Sequence, residues 1–424
     1  MNKFTSITLT DYYNVSHAEP YPKAVHKPRW DDGTVNALER LAIGEVTARG
    51  IPFHLAVPDE DSHLIVLPAP GDGEQLGEAV VLPIGKAAHY VCVAHICASR
   101  DNDELEPAIG VEVAQYSIVY TDGSEHTSSI RRRFEINPLS GLRGAFVAET
   151  MGSPRPLRPG EPGTWGRAQT GTGGNDLPGI WIYALSNPHP EKEIKELRMH
   201  ALTEDGIGIF AVTLAHFPDH PLRHWPRNTF KLSLPEDAQV TLEELAVELD
   251  MGHITRLYPE PGLDESAWLD DPLTGLGSEA QQPEPRRNFM VEATGSTAAS
   301  FKVKAGEKEF ELSYGEAFKA GESSDEKGAR IELCHPHKTW VHVKVIDEET
   351  GKLIPTRTRF LGPRGEYLPP YGHPAEVNTN WFEDEGGNIV LGGDTFAYLP
   401  GEFQAELPVG DVFVELHKGF EYEP

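Results

Sequence analysis

Apolar and polar residues alternate at a spacing of two through most of the chain, and glycines and prolines fall between the apolar runs. That spacing matches the pleat of a half-buried strand, so it predicts an all-β chain of many short strands joined by turns. The clearest hairpin is AQYSIVYTDGSEHTSSIRRRFEI, in which Asp122-Gly123 supplies the positive-φ positions of a tight turn between two extended arms. Upstream, HYVCVAHIC is apolar at nearly every position and predicts a central strand buried between two layers. Later, in TWVHVKVIDEETGKLIPTRTRF, Val341, Val343 and Val345 share a face, a turn falls at Gly351, and a second arm returns through Arg357 and Phe360. The alternation recurs at Phe396 and Tyr398, at Phe403, Ala405 and Leu407, and at Val412, Val414 and Leu416, which predicts a three-strand meander with one apolar face.

At 424 residues the chain exceeds one ordinary core, and two domains are expected. The stretch PEPGLDESAWLDDPLTGLGSEAQQPEPRRN is rich in Pro, Gly and acid and holds no sustained period. The expected organisation is therefore a sandwich over 1–235, an acidic connector over 236–287 and a smaller sandwich over 288–424. Just before that stretch, TLEELAVELDMG reads two ways: Leu242, Leu245 and Leu249 fit a helical face, whereas Leu245, Val247 and Leu249 fit a strand.

Charge narrows the set of partners. Lys and Arg total 37 against 66 Asp and Glu, and a formal net charge of −29 repels nucleic acid and anionic membranes alike. With 39% hydrophobic residues the acidity belongs to the surface of a folded protein rather than to a disordered chain. No run of apolar residues reaches the ~20 needed to span a bilayer, and the three cysteines cannot form a disulfide framework, so a cytoplasmic location is expected.

Four stretches carry residue types suited to chemistry. In YLPPYGHPAEVNTNWFEDEGG, Glu383, Asp384 and His373 could serve as acid, base or orienting groups of a glycoside hydrolase, which needs two carboxylates about 5 to 10 Å apart. Tyr371, Asn378 and Trp381 of the same stretch suit a sugar, the indole as a stacking platform and the amide as a hydroxyl partner. In IWIYALSNPHPEKEI and FPDHPLRHW, Trp181, Asn187, His189 and Arg223 gather aromatic and polar groups of the kind a sugar-binding sandwich uses, although Asn-Pro and Asp-His-Pro sequences also arise as strand corners. In CHPHKTWVH, His335, His337 and His342 have the nitrogens of a metal site, but Pro336 favours a turn, and His342 would share its face with Trp340 and Lys344. No metal or cofactor is therefore expected. The fourth, WGRAQTGTGG, lacks the strand, Gly-Lys and helix of a phosphate loop and reads as a flexible loop.

The run from TWVHVKVIDEETGKLIPTRTRF through GEYLPPYGHPAEVN and NWFEDEGG to AYLPGEFQAELPVGDVFVELHKGFEY resembles the β module ahead of the catalytic domain in CehA/McbA-type metallohydrolases, a branch of the PHP superfamily. GIPFHL, YTDGSEHTSSIRRRFEIN, WGRAQTG, WIYALSNPHPEKEI and DHPLRH resemble the companion N-terminal module. The resemblance implies a jelly-roll-like sandwich followed by a smaller carboxypeptidase-regulatory-like or transthyretin-like one. In those larger proteins the metal ligands follow the GFEY segment, close to which this sequence stops, so no ligand carries over, and His335 and His337 match in spacing only. The expected function is a non-catalytic carbohydrate-binding or accessory protein whose partner is a glycan or an enzyme. Two alternatives stand beside it: a carbohydrate-active hydrolase or lyase with an interdomain cleft, and a structural β protein that forms homo-oligomers.

Overall fold

The computed structural model describes residues 2–14, 44–56, 64–71, 76–98, 109–138, 145–151, 158–159, 167–168, 179–223, 225, 227–270, 284–370, 388–391 and 394–419. Strands dominate, all the sheets are antiparallel, and the described helical pieces are short. The chain is all-β, as its alternation predicts. It divides into two compact units, residues 1–153 with 172–223 and residues 154–171 with 224–424.

In the first unit one sheet runs in the order Phe4–Ile7, Gly206–Ala215, Tyr90–Ala98, Trp181–Ser186, Glu149–Thr150, with Ile65–Val66 also pairing to 206–215. A second sheet orders Val80–Lys86, Ile194–Ala201, Glu112–Tyr120 and Glu125–Arg131. The two share an apolar layer to which 90–98 contributes Val91, Val93 and Cys97. Its alternate side chains, Cys92, Ala94 and Ile96, enter a second apolar cluster with Ile51, Phe53 and Leu55 of the hairpin Gly44–Ala48/Ile51–Leu55. The run HYVCVAHIC is therefore a central strand buried on both faces, and its neighbour 206–215 is buried at every position. The Asp122-Gly123 hairpin forms as expected: Gly123 takes φ +85°, and Tyr120 and Ser124 close the turn by a backbone hydrogen bond of 2.9 Å.

In the second unit a seven-stranded sheet orders Arg158–Pro159, Arg167–Ala168, Gly252–Pro259, Asn288–Gly295, Asn228–Ser233, Arg330–Leu333 and Glu322–Ser324. A three-stranded sheet, Leu245–Leu249, Ser300–Ala305 and Lys308–Ser313, belongs to the same unit. The rings of Phe230, Phe301 and Tyr314 meet at 5.4 to 5.7 Å. Residues 245–249 and 252–259 of the stretch expected as a connector are thus strands. TLEELAVELDMG resolves as a strand because Leu245, Val247 and Leu249 are buried while Ala246 and Glu248 are not, an alternation of two that a helix cannot present. Gly252 then lets the next strand approach closely, since a Cβ there would fall 2.3 Å from the Thr294 carbonyl oxygen.

Beyond residue 337 the same unit carries a two-stranded ribbon, Lys338–Lys344 with Glu402–Pro408, and a four-stranded sheet ordered Asn388–Leu391, Asp394–Leu399, Thr356–Leu361, Phe413–His417. Phe360, Ala397 and Leu399 of the sheet share an apolar cluster with Ala405 and Leu407 of the ribbon. The expected hairpin and meander are both corrected here. The turn at Gly351 forms, with φ +66° and a bridge between Ile346 and Leu353, but its two arms enter different sheets. The last three strands do not pair in succession, because 394–399 and 413–417 flank 356–361 while 402–408 crosses to the ribbon. Alternation shows which side chains share a face; it does not show which strand lies alongside.

Candidate functional site

Glu383, Asp384, His373, Tyr371, Asn378 and Trp381 lie outside the described residues. The four candidates of the first unit are described, and they do not converge. Trp181 and Asn187 stand at opposite ends of the strand 181–186, about 20 Å apart at 3.3 Å per residue. Trp181 is 4% exposed among Ile180, Ile182 and Met151, and its indole N–H donates to the Pro138 carbonyl at 2.9 Å. It is a core anchor and offers no face to a sugar. Asn187 is spent within the fold: its amide donates to the Ala88 carbonyl at 2.7 Å, and its Oδ1 accepts the Tyr120 hydroxyl at 2.5 Å and the His189 N–H at 2.9 Å. This is the Asx turn that an Asn-Pro corner can produce. His189 packs edge-on to Tyr120 and sits 3.6 Å from Glu191. Arg223 is exposed; burial chiefly, and then its positive charge, lower the pKa of His220 to about 4.

The histidines of CHPHKTWVH also separate. His335 is buried with its Nε2 3.0 Å from Glu366, whereas His342 lies on the open face of the ribbon, 2.9 Å from Glu402. Among the described residues no three His, Cys, Asp or Glu side chains gather in a way that could hold a metal ion.

Among the described residues the second unit buries three glutamates, Glu292, Glu366 and Glu415, all of which escaped the sequence reading, and the first two are the most deeply buried. Glu292, 1% exposed, lies 2.9 Å from Arg227 and 3.5 Å from Arg256 and accepts the Tyr258 hydroxyl at 3.1 Å. The Tyr258 pKa stands well above its ordinary value, through burial and then the Glu292 charge, so the phenol remains a donor. Glu366 accepts the Arg364 backbone N–H at 2.9 Å beside His335, and it folds back over Gly362, where a Cβ would meet its Oε1 at 2.3 Å. A carboxylate fixed between two guanidinium groups stabilises charge and has no free acid or base role. Both clusters are sealed, and they act as polar clamps.

The open counterpart is the outer face of the ribbon. Val341 and Val343 turn inward against the apolar cluster, which leaves Trp340, His342 and Lys344 outward on one strand. Opposite them in register stand Glu406, Gln404 and Glu402. Trp340 is 58% exposed, and Glu402 draws in both His342 and, at 3.4 Å, Lys344. The arrangement is an exposed strip with an aromatic plane at one end and mixed donors and acceptors along the rest, which can stack a ring and bind hydroxyls.

Comparison of the chain with protein-family models, with curated proteins and with solved structures finds no match.

Cysteine chemistry has no part in these surfaces. Burial pushes the Cys97 and Cys334 thiols up to about 12 and Cys92 further still. All three cysteines are free, and the folded protein should resist iodoacetamide at pH 8, with alkylation of all three appearing only in denaturant. Mass spectrometry of intact protein checks this, and rapid labelling of Cys334 in the native state would contradict it.

Proposed function

We propose that the chain is a non-catalytic carbohydrate-binding protein, an accessory to an enzyme that acts on the same glycan. The observation that carries this reading is Trp340, 58% exposed on the ribbon with polar neighbours on both strands. An aromatic plane beside side chains that donate and accept hydrogen bonds is the combination that stacks on a sugar ring and holds its hydroxyls. The reading accords with the resemblance to non-catalytic modules that precede metallohydrolase domains, and under it a jelly-roll-like sandwich is followed by a smaller carboxypeptidase-regulatory-like or transthyretin-like one. A cytoplasmic setting suits three free cysteines on a strongly acidic chain. No helix among the described residues is long and apolar enough to cross a membrane.

The test is a glycan array followed by calorimetry on the Trp340→Ala variant. Loss of a stacking plane is expected to weaken binding by about 1 to 3 kcal/mol, roughly 5- to 150-fold, by analogy with aromatic stacking on bases. Thermal stability should hardly move, since an exposed side chain contributes within about 0.5 kcal/mol. Unchanged glycan affinity in the variant would remove the ribbon from the function.

A further inference from the structure

We infer that the glycan is an uncharged linear chain that lies lengthwise along the ribbon, with one ring on Trp340 and the following rings over His342–Gln404 and Lys344–Glu402. The inference rests on the carbohydrate-binding reading and deepens it. Three cross-strand pairs stand in line, Trp340 with Glu406, His342 with Gln404, and Lys344 with Glu402. From Trp340 to Lys344 the strip runs about 13 Å at 3.3 Å per residue, more than twice the length of one sugar ring. A single monosaccharide would leave most of it empty.

The shape selects an internal stretch of chain. Among the described residues the two strands of the ribbon pair only with each other, so the strip has no paired strand on either side to wall it. Recognition of a chain end needs a closed pocket around the terminal ring, and a strip open along its length supplies none.

Charge selects against acidic and basic sugars. The Lys344 ammonium on the strip is already engaged, since Glu402 stands 3.4 Å from it and 2.9 Å from His342. A uronate or sulfate would have to displace Glu402 while approaching a chain of net charge −29. A basic sugar would meet Lys344 beside Glu402, and the charge of Lys338, on the same strand, beside Glu406. What remains is a balanced row of carboxylate, amide, imidazole and ammonium groups, which offers both donors and acceptors to neutral hydroxyls.

The experiment titrates the full chain with neutral β-1,4-glucan, β-1,4-mannan and α-1,4-glucan oligomers from the monosaccharide upward, with oligogalacturonate as the acidic probe and chitosan oligomers as the basic one. One neutral series should tighten by about tenfold between a single ring and three rings and then level off. Its affinity should change little between low and high salt, because no charge is neutralised on binding. Gln404→Ala and His342→Ala should weaken the longer oligomers and leave the shorter ones unaffected. Affinity independent of length, or preference for the acidic or basic probe with strong salt dependence, would overturn the lengthwise neutral chain and keep the carbohydrate reading. Failure of every probe would overturn both. Sedimentation showing a dimer that Trp340→Ala dissolves would assign the strip to a second copy of this chain and likewise overturn both.

Discussion

Glu292→Ala is expected to destabilise the second unit by about 3 to 5 kcal/mol, the cost of breaking a buried ion pair from one side. Arg227 and Arg256 both lose their anionic partner, and Arg227 is nearly as buried as Glu292 itself. The pKa of Arg256 already lies below its ordinary value, lowered chiefly by burial and opposed chiefly by the Glu292 charge, so removal of the carboxylate takes away the main counterweight to desolvation. Tyr258 also loses its hydrogen bond to the Glu292 carboxylate. The measurement is a urea titration read by fluorescence and circular dichroism. A companion variant, Glu292→Leu with Arg227→Met and Arg256→Leu, should recover most of the loss, because an apolar replacement of a whole buried cluster is often neutral or stabilising. A single-variant loss under about 1 kcal/mol would mean that water, rather than the arginines, neutralises Glu292.

The strands were legible because their signal is local. A run such as GIGIFAVTLA has no polar position beyond Thr213, and it is buried on both faces. The Asp-Gly pair marks its turn by backbone conformation alone. Pairing was not legible, since 338–344 finds its partner some sixty residues later at 402–408 and nothing in either strand specifies the other. Trp181 was misassigned by giving weight to its residue type over its neighbours: between Ile180 and Ile182, an aromatic continues a core run. Glu292 carried a usable signal, a lone charge in the apolar strand NFMVEATG, which asks for a buried partner. Arg256, in HITRLYP, asks the same question from the adjacent strand, in register with it. Trp340 was visible on the right face, but alternation alone could not say that this face stays open.

Acid should weaken the first unit through His95, in the centre of the strand 90–98 and fully buried. The Glu135 carbonyl can only accept, so Nε2 carries the proton and donates at 2.9 Å, and Nδ1 accepts the Tyr116 hydroxyl, also at 2.9 Å. Both nitrogens are satisfied in the neutral ring, and a second proton would displace the Tyr116 bond. Burial lowers the pKa from 6.5 to about 4, partly opposed by the Glu135 hydrogen bond. Between those values the unfolded chain binds a proton that the native state refuses. The stability is therefore complete above pH 6.5 and declines as pH falls toward 4. Two and a half pH units at about 1.36 kcal/mol each give a loss of about 3 kcal/mol. Other groups of the unit titrate nearby: His220, also lowered to about 4, acts in the same direction, and Glu149, raised by burial, acts in the opposite one. A difference measurement removes both. His95→Gln keeps a donor for the Glu135 carbonyl and an acceptor for Tyr116 but cannot ionise. Denaturant titrations of wild type and variant at pH 7.5, 5.5 and 4.5 should show the wild type losing more stability on acidification, by up to about 3 kcal/mol. Parallel pH profiles would show that the ring accepts its second proton in the folded state at no cost.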